Sequence, residues 1–286
     1  MKTFVNSSLL VVSLLLVSNL FFNSCDNGND DSETVPIPLL ANTLTFDNNG
    51  ELEFSESYQY DNQGRIIKVD DNEGHYSTIE YSELTIIVKD YFEGKLEGTS
   101  IGQLNSKGLC TSVTYDDSDD LESYEYDNNG YRKLSTNETD TYLHTTAYSV
   151  SDGNYMTIIS EDQSKTQNSV QAKEVGLFKR SFIAANLQKR MTSKNRLKST
   201  AQGNISKTDY IFYKNKINTI EYENMGISFL GKQNKNPIKK EISTFTFEGD
   251  PSEIKTNTYT YEYYSKGRIS KQIADDGNYT IYTYVD

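Results

Sequence analysis

The stretch Tyr58-Gln-Tyr-Asp-Asn-Gln-Gly-Arg-Ile-Ile-Lys68 spells out a β-hairpin, and it returns as Tyr124-Glu-Tyr-Asp-Asn-Asn-Gly130 and as Tyr261-Glu-Tyr-Tyr-Ser-Lys-Gly-Arg-Ile269. Two tyrosines two residues apart share one face of a strand, because side chains alternate across it. Asp61-Asn-Gln-Gly64 then supplies Asp at the first and Gly at the fourth position of a type I turn, where Gly takes positive φ freely as the next strand starts. A chain built from such units folds as an antiparallel sheet.

Turn blocks of this kind come in series: Asp47-Asn-Asn-Gly50, Asp61-Asn-Gln-Gly64, Asp71-Asn-Glu-Gly74, Asn105-Ser-Lys-Gly108 and Asp127-Asn-Asn-Gly130. Short β-branched and aromatic runs lie between them, such as Tyr76–Tyr81, Thr85–Val88 and Ser112–Tyr115. Further on, Tyr210–Tyr213, Thr219–Tyr222, Thr244–Phe247 and Thr258–Tyr263 read as strands, with a Pro-containing turn at Asp250–Glu253. The spacing of about two short strands per turn interval predicts an antiparallel meander, starting near Leu44.

Two stretches break the pattern. Residues 1 to 25 carry the apolar run Leu9–Phe22, too short for a bilayer-spanning helix and suited to a secretory signal, followed by Cys25. Ser32 to Pro38 then reads as an extended tether. The second interruption is basic: Lys165 to Lys207 holds ten Lys/Arg against one acid, Glu174, and Val175, Phe178, Phe182 and Ala185 recur at helical spacing. A partly helical insertion over 165–207, with its helix at about 170–191, is expected there. The chain is thus read as a signal segment (1–25), a flexible tether (26–43) and a single β domain (44–286).

Charge is uneven. Residues 26–164 hold 29 acids and 7 Lys/Arg, whereas residues 165–240 hold 16 Lys/Arg and 4 acids. The acidic total disfavours nucleic acid as a partner. Asp116–Glu122 and Asp70–Glu73 offer alternating oxygens, but neither has the spacing of a calcium-binding loop, and solvated turns with no metal or cofactor are expected. Cys110 sits in a strand-like run and reads as a small buried apolar residue. His75 and His144 are 69 residues apart, make no zinc motif and read as surface residues. No nucleophile motif appears, so a non-enzyme is expected. Tyrosine is abundant, 22 residues against no Trp, and the ladder Tyr259, Tyr261, Tyr263 is the candidate ligand platform, the competing reading being that its rings simply build the sheet.

Phe22-Asn-Ser-Cys25 resembles the lipobox of bacterial lipoproteins, and Asp26-Asn-Gly-Asn-Asp-Asp31 resembles the acidic export signal of Bacteroidota surface lipoproteins. That resemblance implies acylation of Cys25; an ordinary cleaved signal peptide is the alternative. The Tyr-x-Tyr-Asp-x-x-Gly-Arg-Ile unit resembles the YD repeats of Rhs-type proteins. Together with Met225–Lys240, these features resemble a Bacteroidota lipoprotein family of unknown function with a porin-like fold. The resemblance implies a sheet curled into a barrel or half-barrel and brings no activity. A membrane-spanning barrel fits poorly, since segments such as Glu51–Glu56 carry charge on both faces. The expectation is a monomeric, lipid-anchored, outer-membrane protein facing the cell exterior, binding a glycan or a surface protein. The alternative is a polysaccharide hydrolase with carboxylates at the barrel mouth.

Overall fold

A computed structural model describes residues 38–164, 204–246 and 252–285. Those residues form sixteen strands: β1 Leu40–Phe46, β2 Leu52–Tyr60, β3 Ile66–Asp71, β4 His75–Tyr81, β5 Thr85–Phe92, β6 Lys95–Leu104, β7 Cys110–Tyr115 and β8 Leu121–Tyr126 come first. They are followed by β9 Arg132–Glu138, β10 Tyr142–Ser151, β11 Asn154–Ser164, β12 Ile205–Phe212, β13 Ile238–Thr246, β14 Glu253–Tyr263, β15 Ile269–Ala274 and β16 Tyr279–Tyr284. Each pairs antiparallel with its neighbours in sequence, and β1 pairs with β16, so the meander closes into a barrel.

The turn chemistry explains the series of hairpins. Asp61 Oδ1 accepts the backbone N–H groups of Gln63 and Arg65 at 2.9 and 3.0 Å, which holds the turn while Gly64 takes φ +74°. Asp47, Asp71, Asn105 and Asp127 each bond the N–H groups two and four residues on in the same way. The restart then carries a bulge: Tyr60 pairs with Ile66 but Gln59 with Lys68, leaving Ile67 as the extra residue. The same shift isolates Thr111, Lys133 and Ser270. A bulge beside each turn increases local twist and helps the sheet curl until its edges meet.

Because all neighbours are antiparallel, odd strands begin and even strands end at one mouth, here the near mouth. Alternation places Glu56, Tyr58 and Tyr60 on the inner wall, opposite Asp71, Val69 and Ile66. The outer wall is mixed, and ion pairs lie on it: Lys68 with Asp70 at 2.5 Å, Lys89 with Glu80 at 2.7 Å, Lys207 with Asp209 at 2.8 Å. The apolar core gathers at the near mouth, where Leu40, Ile66, Ile86 and Ile269 pack with Met225 and Ile227 of the β12–β13 connection.

Several expectations are corrected. β1 begins at Leu40, ahead of Leu44, because Leu40 is fully buried and paired with Tyr284. Thr219–Tyr222 is not a strand. It lies in the β12–β13 connection, and Tyr222 starts a short 3₁₀ turn, Tyr222–Met225, followed by another at Ser228–Leu230. Its apolar and polar alternation serves anchoring at the mouth rather than a ladder. The basic insertion ends before β12, since Ile205–Lys207 already pair with β11 and β13. Cys25, the expected helix at about 170–191 and the first half of the Asp250–Glu253 turn lie outside the described residues.

Candidate functional site: a mouth filled by the β12–β13 connection

The near mouth is built from a repeated tyrosine device. Near the ends of even strands, the hydroxyls of Tyr60, Tyr81, Tyr126, Tyr261 and Tyr284 donate to the carbonyls of Leu40, Ile66, Cys110, Ile238 and Ile269 at 2.6 to 2.8 Å. Each acceptor is the first residue of the preceding strand. A carbonyl at a strand start next to a bulge loses a ladder partner, and burying it without one would be costly. A Tyr ring is long enough to supply that partner while covering the apolar residue beneath it.

The connection between β12 and β13 fills this mouth by bonding to its rim in turn. Its neck is closed by Asn218 N–H donating to the Lys235 carbonyl at 3.0 Å. Thr219 Oγ1 accepts the Ile269 N–H at 2.9 Å and lies 2.8 Å from the Tyr284 hydroxyl, on the β15–β16 side. Asn224 Nδ2 donates to the Pro38 carbonyl at 3.0 Å, and the Gly226 carbonyl accepts the Ile66 N–H at 3.3 Å. Phe229 meets Tyr81 edge-on at 6.2 Å. Across the mouth, Lys232 N–H donates to the Gly130 carbonyl at 2.9 Å, Asn234 Oδ1 accepts the Tyr155 N–H at 2.8 Å, and Asn236 exchanges two hydrogen bonds with Asn154. The plug therefore touches the rim on both sides of the barrel.

Apolar burial seats it. Met225 and Ile227 are buried in the core, and each such side chain contributes about 1.5–3 kcal/mol relative to exposure. Arg132 of β9 reaches the plug with Nη2 3.4 Å from the Leu230 carbonyl, its guanidinium 4.5 Å from the Tyr124 ring and 5.8 Å from Tyr148. Burial pushes the Tyr222 hydroxyl up to about 12, with the Arg132 charge pulling the other way, so this tyrosine stays neutral.

Below the plug the inner wall is lined by carboxylates held by hydroxyl groups. Tyr58 and Thr43 donate to Glu56 at 2.7 and 3.2 Å, Tyr115 and Tyr124 donate to Glu122, and Tyr259 donates to Glu241 at 3.1 Å. Burial raises Glu241 above its ordinary carboxyl value, against hydrogen bonds from Tyr259, Ser243 and Asn257. Towards the far mouth a polar chain runs from Asp162 to His144 Nδ1 at 2.5 Å, from His144 Nε2 to Thr146 at 3.1 Å, and on to Ser160 at 2.9 Å. Asp71, Glu73 and His75 bring one ligand atom each within 4.8 Å of one another, with His75 stacked on Phe92 at 4.5 Å.

The sequence-derived candidates fall as follows. Tyr259 and Tyr261 lie on the inner wall with their hydroxyls bonded to Glu241 and the Ile238 carbonyl, and Tyr263 lies under Lys216 at 4.6 Å. Cys110 is buried, as expected, and burial pushes its thiol up to about 11. His75 and His144 are not outer-surface residues. Strand alternation turns both to the inner wall, each facing a carboxylate, although about a third of each side chain remains exposed. Within the Asp116–Glu122 turn, Asp116 accepts the Thr99 N–H at 3.0 Å and so finishes a strand edge. The inner carboxylates escaped sequence reasoning, yet a signal exists: Glu56-Ser-Tyr-x-Tyr-Asp and Glu122-Ser-Tyr-x-Tyr-Asp place Glu on the same face as the tyrosine pair.

No family model and no curated protein matches the sequence. Among solved structures, the chain is similar to a porin-like protein from Bacteroides uniformis, with a TM-score of 0.50 and 16% identity over 87% of this chain and 98% of that one. At this identity the likeness concerns architecture, and it agrees with the all-β antiparallel closed barrel described above. It is this fold that the chain shares with the Bacteroides protein.

Proposed function

We propose that the chain is a non-enzymatic, outer-membrane barrel, anchored through an acylated Cys25, that works as a binding or scaffold module for a glycan or a partner protein. The observation that carries this reading is the filled near mouth: hydrogen bonds from Thr219 to Asn236 bind the connection to the rim on both sides. A barrel filled in this way is a rigid display frame rather than a conduit. Ion pairs on the outer wall support a barrel held at the membrane by its lipid, since a charged side chain facing lipid at mid-bilayer costs about 2–4 kcal/mol. The similarity to a porin-like protein supports the compartment. The test is a screen of the chain from residue 26 against surface glycans and envelope extracts, scored for saturable binding and for release of reducing ends. Saturable binding without turnover is expected, and turnover would overturn the proposal in favour of a hydrolase.

A further inference from the structure

We infer that Asp71, Glu73 and His75, in the β3–β4 turn at the far mouth, form a binding site for a divalent transition cation such as zinc. The site is independent of the glycan or partner reading, because its ligands come from one hairpin. Among the described residues, these are the three His, Cys, Asp or Glu side chains whose ligand atoms converge, all within 4.8 Å of one another. One imidazole nitrogen with two carboxylate oxygens suits zinc and its first-row neighbours, whereas calcium and magnesium take oxygen ligands. The turn itself fixes the first ligand. Asp71 Oδ1 accepts the backbone N–H groups of Glu73 and His75 at 2.8 and 2.9 Å, which leaves Oδ2 facing the His75 ring. The Asp71 side chain is 2% exposed against 38% for His75, so a buried carboxylate backs the site and the imidazole side is approachable.

Two comparisons within the molecule point to an ion rather than a simple ion pair. His144 Nδ1 meets Asp162 at 2.5 Å, a direct hydrogen bond, while His75 Nδ1 stands 3.3 Å from Asp71 Oδ2. Charge-assisted N–H···O bonds close to about 2.7–2.9 Å. Zinc bonds of about 2.0–2.1 Å to nitrogen and oxygen place adjacent tetrahedral ligands about 3.3–3.4 Å apart, the spacing found between Asp71 and His75. The second comparison is the Asp61 turn, which is held by the same pair of backbone N–H groups. There Oδ2 meets a cation, the Arg65 guanidinium, at 2.7 Å. The residue at the same step after Asp71 is His75, which brings a lone pair where Arg65 brings a charge. A metal ion between Asp71 and His75 supplies the positive partner that Arg65 supplies to Asp61. The hairpin is also held from both sides: Asn72 Oδ1 accepts the Ser55 N–H at 3.0 Å, the Gly74 carbonyl accepts the Glu93 N–H at 2.9 Å, and Phe92 stacks on the His75 ring at 4.5 Å. Such support places the ligands before the ion arrives, and three protein ligands leave one tetrahedral position for water.

The test is calorimetric titration of the untagged chain from residue 26 with zinc chloride, and with calcium chloride for comparison. Saturable binding of one zinc per chain is expected, with no matching calcium binding. The chain has two histidines, so His75→Ala separates this site from the many surface acids. His75→Ala, Asp71→Asn and Glu73→Gln are each expected to weaken zinc binding by at least about tenfold, whereas His144→Ala leaves it unchanged. Asp71→Asn keeps the turn, because Asn105 holds its own turn through the same two N–H bonds at 2.9 and 3.1 Å. Glu73 is exposed, so Glu73→Gln tests the site without touching the stack on Phe92. Zinc is also expected to raise the melting temperature of the parent and not of His75→Ala. Lack of saturable zinc binding, equal affinity for calcium, or unchanged zinc affinity in variants that melt like the metal-free parent overturns the inference.

Discussion

Gly226→Ala tests whether the plug is seated by close backbone contact. A Cβ on Gly226 would lie 2.5 Å from the Gly64 carbonyl oxygen, 2.8 Å from the Ile66 nitrogen and 3.0 Å from Tyr60 Cε1. The first two are backbone atoms of a hairpin held by Asp61, so they cannot rotate aside. The residue also sits at φ +67°, which costs an L-residue roughly 1–2 kcal/mol. Relief requires the connection to lift, which breaks the Ile66 N–H bond to Gly226 and leaves a buried donor unpaired at about 1–3 kcal/mol. The sum is roughly 2–5 kcal/mol, or a melting temperature lower by about 10 °C for a domain of this size. Gly267→Ala is the control. It has φ +77° and nothing within 4 Å of its added Cβ, so only the conformational cost of roughly 1–2 kcal/mol applies. Thermal unfolding followed by circular dichroism reads both variants. Tryptic cleavage at Lys232 and Lys235 should accelerate in Gly226→Ala alone. Equal melting shifts in the two variants would refute the tight seating.

Other outcomes follow from the inner wall. Burial raises the folded-state pKa of Glu241 above 4.5, so the stability linked to its protonation is present below that value and is lost as pH rises through the folded pKa. Glu241→Gln should therefore gain melting temperature relative to the parent between acidic and neutral pH, and a gap that shrinks with rising pH would contradict the assignment. Cys110 should resist alkylation in the native barrel, because its thiol is buried and pushed up to about 11, and should react promptly in denaturant. Rapid labelling of native protein would contradict its placement.

Much of the wall is legible in the sequence because its rules are local. Asp-x-x-Gly specifies a turn through hydrogen bonds two and four residues long, and the Tyr-x-Tyr spacing specifies one face of one strand. The same locality made Thr219–Tyr222 read as a strand, since a β-like run shows its alternation but not whether a neighbouring strand is available. That His75 and His144 line the inner wall was illegible for a related reason. Which face of a strand points inward depends on register across the whole sheet, and a polar residue on an inner wall looks like a surface residue when that wall is itself polar.

The hairpin unit, the meander and the burial of Cys110 are written in local spacing, because each depends on residues a few positions apart. Tertiary structure alone decided three things. The sheet closes because β1 and β16, separated by the whole domain, find matching registers. The β12–β13 connection becomes a plug because Gly226, Asn234 and Asn236 meet turns that are remote in the chain. The carboxylates become an inner lining because closure turns one face of every strand inward, bringing Glu56 to Thr43 and Glu241 to Tyr259. Each is a long-range contact, and long-range contacts depend on the register of the closed sheet rather than on local spacing.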